Sequence, residues 1–136
     1  MRKDLNVKLS WMSEDNWKFF IEQGFLPILA INHPRHNSGT RVHFPELAPK
    51  MKVLRQFENP GEEYYNWLSE KVNKWEILHT FDVLAHLASA SGVIILTEKE
   101  DDPFRKILGE FLDGILDEKI TEYEWDREDS RNLDDI

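Results

Sequence analysis

Two nearly unbroken apolar runs constrain this chain most: Phe25-Leu26-Pro27-Ile28-Leu29-Ala30-Ile31 and Val93-Ile94-Ile95-Leu96. A strand with one wet face alternates apolar and polar residues, whereas a strand covered on both faces does not. Each run therefore predicts a strand inside a sheet that has helices on both sides, and such sheets are mostly parallel. Pro27 is expected at the start of its strand, where a missing N–H donor matters least. Both runs are too short to cross a bilayer. Met1-Arg2-Lys3-Asp4 is followed by no apolar signal region, so no membrane association is read and a cytoplasmic location is expected.

The segments around these runs fit the same plan. Leu5-Asn6-Val7-Lys8-Leu9-Ser10-Trp11 alternates and predicts a strand with one buried face. Ser13, Glu14 and Asp15 suit a helix N-terminus; that helix would reach Gln23, bury Trp17, Phe20 and Ile21, and stop at Gly24. A polar loop spans Asn32 to about Glu46, and Leu47 to Phe57 reads equally as strand, turn or helix. Pro60 opens a helix carrying Tyr64, Tyr65, Trp67, Leu68 and Val72. The next helix, Trp75 to Ala90, would bury Ile77, Leu78, Phe81, Leu84, Ala85 and Ala88. Asp102 and Pro103 mark a capped helix start ahead of the stripe Phe104, Ile107, Leu108, Phe111 and Leu112. Ile120 to Trp125 alternates as an edge strand. The predicted fold is a single α/β domain over 1–125, Rossmann-like or flavodoxin-like, with a mostly parallel sheet of about four strands and helices on both faces. Residues 126–136 form an acidic tail with few apolar anchors.

Charge and cysteine content exclude several functions. The formal charge is −9, and residues 117–136 hold nine acids against three bases, a net −6 of that total. Such a surface repels phosphate backbones, so direct nucleic-acid binding is disfavoured. With no cysteine, disulfides, zinc–thiolate sites and thiol nucleophiles are excluded.

Leu29-Ala30-Ile31-Asn32, Pro34, Gly39 and Leu47-Ala48-Pro49, together with Val93-Ile94-Ile95-Leu96-Thr97-Glu98-Lys99 and Phe104-Arg105, resemble the domain-of-unknown-function 488 family. In that family a similar strand leads into a loop with proline and glycine and then a Leu-Ala-Pro element. A second apolar strand ends in Cys-x-Glu-Lys, followed by Cys-His-Arg at a helix start. Tyr64 and Tyr65 of the middle helix also suit the family. The resemblance covers roughly residues 5–125 and implies a cleft at the carboxyl ends of the strands. The departures carry the chemistry. Leu96 stands where the first cysteine would be, Pro103 and Phe104 stand at Cys-His, and only Arg105 of that trio is kept. Neither leucine nor phenylalanine supplies a nucleophile or a transferable proton.

The cleft reading gathers Asn32, Arg35, Thr97, Glu98, Lys99 and Arg105 as ligand-binding candidates. A guanidinium beside a helix N-terminus suits a phosphate or carboxylate; equally, Arg105 could pair with Glu98 or Asp101 and pin the turn. His33, His36 and His43 share a loop with Glu46, yet no helix presents them, and a solvated loop is the simpler reading than a metal site. His79 and His86 lie two helical turns apart, too far to chelate one ion. No Gly-x-Ser-x-Gly setting and no glycine-rich phosphate loop is present. Trp67, Tyr64 and Trp75 could stack bases, but core packing explains their spacing. No catalytic residue, metal or cofactor is assigned.

The leading expectation is thus a non-catalytic binding protein that recognises a small anionic, nucleotide-like ligand or a protein partner at the strand-end cleft. One alternative is a carboxylate-based enzyme with Glu98 as general base and Lys99 or Arg105 stabilising charge. Another is an acidic, phage-type regulator or inhibitor that meets a basic protein surface through its edge strand and tail. Oligomeric state is not legible in the sequence.

Overall fold

The computed structural model describes residues 6–11, 17–32, 42–98, 101–113 and 121–122. In chain order these form strand β1 (Asn6–Trp11), helix α1 (Trp17–Glu22), strands β2 (Phe25–Leu29) and β3 (Val42–His43), and a 3-10 turn at Pro45–Leu47. Helices α2 (Met51–Leu54), α3 (Pro60–Lys71) and α4 (Lys74–Leu87) follow, then strand β4 (Gly92–Thr97), helix α5 (Pro103–Leu112) and strand β5 (Thr121–Glu122). The strands make one sheet in the order β3-β2-β4-β1-β5, and every pairing is parallel. The α/β class, the parallel sheet and the helices on both faces expected from the two apolar runs are all present. The four expected strands are joined by β3, two residues from the stretch read as loop.

The runs that led to this expectation lie side by side at the centre. Pro27 is opposite Ile94 and Ile28 opposite Ile95, and all residues of β2 and β4 are buried. Alternate side chains feed two separate cores. Val7, Leu9, Leu26, Ile28, Val93 and Ile95 pack with α3, α4 and α5. Phe25, Leu29, Ile94 and Leu96 pack with Phe19 and Phe20 of α1. The placement of the helices follows from right-handed crossovers. From β1 to β2 the chain moves one way along the sheet and α1 covers one face. From β3 to β4 and from β4 to β5 it moves the other way, so α3, α4 and α5 cover the opposite face.

Local chemistry fixes the ends of these elements. Asn59 accepts from the Glu62 N–H, Asn73 from those of Trp75 and Glu76, and Asp102 from that of Phe104. Each cap thereby satisfies donors that the first helical turn leaves open. Gly24 closes α1 with φ +94°, a conformation other residues resist. At Gly92 a Cβ would lie 2.2 Å from the Asn6 carbonyl oxygen, so only glycine lets β1 and β4 pair at this end.

Pro27 sits mid-strand, not at the start. The Ala30 N–H reaches the Leu96 carbonyl on the β4 side, while the Leu29 carbonyl accepts from Phe44 N on the β3 side. Alternation therefore turns the Pro27 nitrogen toward β3, which pairs only from Ile28 onward. The missing donor costs no ladder bond. In α1, Phe19 and Phe20 are buried while Ile21 is exposed. A helix of under two turns has too short a period to reveal which face meets the sheet. Ala88 is exposed because it caps α4 beyond the last packed turn. The side chain of Trp17, Ser13 to Asn16 and the tail from 123 onward lie outside the described residues. Among the described residues no helix is long and apolar enough to cross a membrane.

Candidate functional site

Parallel sheets place binding crevices where neighbouring strands send their chains in opposite directions. Here β2 leads outward to β3, while its neighbour β4 leads back across β1 to β5. A crevice of about 280 Å³ opens beyond the carboxyl ends of these two strands. Ala30 and Ile31 form its floor, Ala48, Pro49 and Met51 one side, and Pro103 and Phe104 the other. Among the described residues its charged lining is Arg55, Glu98, Asp101 and Asp102, three carboxylates to one guanidinium.

The sequence candidates divide on this geometry. Asn32 and Glu98 line the crevice. Asn32 ties down the wall: its Nδ2 donates to the Pro49 carbonyl at 3.0 Å, and its Oδ1 accepts from Lys50 Nζ at 2.7 Å. Lys50 also donates to the Pro45 carbonyl at 2.8 Å. Partial burial pushes the Lys50 ammonium below the usual lysine range, and the Glu46 carboxylate acts in the opposite direction. Nearby, His43 Nε2 lies 2.7 Å from the Ile31 carbonyl.

Thr97 and Arg105 form a separate cluster behind the crevice, across the ends of β1 and β4. Arg105 is only 7% exposed, and its Nη1 donates to Thr97 Oγ1 at 3.0 Å. Thr97 Oγ1 in turn donates to the Ser10 carbonyl at 3.3 Å. The guanidinium carbon stands 6.0 Å from the centre of the Trp11 ring, at the outer limit of a cation–π contact. Arg105 thus links α5 to β4 and, through Thr97, to β1. Arg35 and Lys99 lie outside the described residues. Among the described residues no group of His, Asp and Glu is placed to hold a metal ion.

The positions that the resemblance sets at Cys and Cys-His do not share one environment. Leu96 is buried in the core on the α1 face, whereas Phe104 packs against the core on the other face. Phe104 meets the Tyr64 ring edge-on at 5.4 Å. Tyr64 is buried and donates its hydroxyl to the Leu47 carbonyl. Burial, with the Asp102 carboxylate adding to it, pushes the Tyr64 phenol far above its usual range.

Sequence reading missed Arg55 and the wall built by Ala48 to Met51. The Leu47-Ala48-Pro49 element was the available signal, but nothing local says that it folds back beside Asn32. A second hollow of about 550 Å³ lies between α2 and α3, lined by Val53, Phe57, Tyr64 and Trp67 with Glu63 and Glu70 at its polar side.

No protein-family model matches this chain, and no curated protein or solved structure matches it.

Proposed function

We propose that this chain is a non-catalytic binding protein whose strand-end crevice receives a basic segment of a protein partner. The charge of the crevice carries this reading: among the described residues, Glu98, Asp101 and Asp102 line it with Arg55. An arginine or lysine side chain gains charge-assisted hydrogen bonds there, while a phosphate meets mostly like charge. The N-terminus of α5, otherwise an anion site, already has the Asp102 carboxylate on its Phe104 N–H at 3.0 Å. The whole chain, at −9, favours basic partners in the same sense. The hydroxyls of Thr97 and Tyr64, which lie outside the crevice lining, both donate to backbone carbonyls, those of Ser10 and Leu47.

Amide-resolved NMR titration tests this directly. A short arginine-containing peptide should shift the amides of Ile31, Asn32, Glu98 and Asp101, and Glu98→Gln with Asp101→Asn should weaken those shifts. If instead ATP or a sugar phosphate moves the same amides, and Arg55→Ala abolishes the effect, the small anionic ligand is the occupant. Silence from every probe would remove the crevice as a binding site.

A further inference from the structure

Helix α4 buries Leu78, Phe81 and Ala85 against the sheet and presents a second apolar stripe outward. Trp75, Val83 and Leu87 are 53%, 43% and 74% exposed, and exposed His79 completes the four-residue spacing 75-79-83-87. Side chains four apart form one ridge along a helix, and two such ridges interlock when helices cross at about −50°. Single exposed apolar residues need no explanation, but a tryptophan, a valine and a leucine aligned on one ridge do.

We propose that this stripe is a self-association surface, through which two copies of the chain pair their α4 helices antiparallel about a twofold axis at the level of residue 81. That register follows from the stripe itself. Trp75 of one copy meets Leu87 of the other, and His79 meets Val83. It also sets exposed Glu76 against exposed His86, twice by symmetry. The remaining charged groups meet neutral partners: Lys74 faces Ala88 and Asp82 faces Thr80. One axis therefore matches both the apolar and the polar residues of the stripe, as an isologous interface requires. A single helix pair lies near the lower limit of stable interfaces, about 1,000 Å² in total, so the dimer is a weak one.

Sedimentation equilibrium of the full chain, from roughly 1 µM to 1 mM, should show mass rising from one copy to two. Val83→Glu, and independently Leu87→Glu, should raise the dissociation constant about 100-fold by placing a charge in the contact. His86→Glu, which opposes two carboxylates, should weaken pairing about fivefold. The exchange Glu76→His with His86→Glu should return it to the wild-type value. Thermal melts confirm that each variant folds, which these exposed positions allow. A chain that stays monomeric throughout, a dimer indifferent to both Val83→Glu and Leu87→Glu, or an exchange that fails to rescue would overturn the proposal.

Discussion

Arg105 on α5 donates to the Thr97 hydroxyl at the end of β4 across 3.0 Å, and Thr97 passes the link to the Ser10 carbonyl at the end of β1. One buried guanidinium thus holds a helix to β4 and, through Thr97, to β1. Arg105→Ala should cost about 3 kcal/mol in urea unfolding, because it removes both the charged hydrogen bond and the packed stem. Arg105→Lys should recover less than half of this, since an ammonium lacks the planar fork.

Tyr64 makes a similar link between α3 and the 3-10 turn. Tyr64→Phe leaves the buried Leu47 carbonyl without its donor and should cost about 1–2 kcal/mol. The raised phenol also sets a pH dependence. Its neutral form is favoured in the fold, so its contribution is complete below the ordinary tyrosine value of 10.0 and fades as pH rises above it. Stability should fall above pH 10, and Tyr64→Phe should flatten that fall. Absorbance titration should show one of the three tyrosines ionising only on unfolding.

Gly92→Ala tests the central pairing. Its methyl would stand 2.2 Å from the Asn6 carbonyl oxygen, backbone that cannot swing away, so β1 and β4 must part. The expected loss is about 3 kcal/mol or more, measured by chemical denaturation.

Ser89 offers a gain. It closes α4 at φ 56°, with the Ala90 N–H returning to the Ala85 carbonyl at 2.8 Å. Glycine adopts this conformation without a Cβ penalty. Ser89→Gly should stabilise the protein by about 0.5–1 kcal/mol and raise its melting temperature.

Some of this architecture was legible residue by residue. The two apolar runs announced covered strands, and Asp102-Pro103 and Asn59-Pro60 announced helix starts, because hydrophobic period and cap chemistry act within a few residues. Pro27 was misplaced because the register of β3, which makes its missing donor harmless, is a relation between distant segments. The outward stripe of α4 was equally hidden: a strip of apolar residues does not say which of two faces the sheet will cover.

The candidate site shows the same division. By itself the sequence determined the covered strands, the absence of any thiol chemistry, and the residues Asn32 and Glu98 that close the two strands. Only the tertiary structure decided that β2 and β4 lie adjacent, that Ala48 and Pro49 return to wall their ends, and that Arg105 is withdrawn behind the crevice to bind Thr97. The reason is physical. Period and capping are settled by neighbours along the chain, whereas the sign and shape of a crevice arise from side chains that meet only after the sheet has ordered its strands.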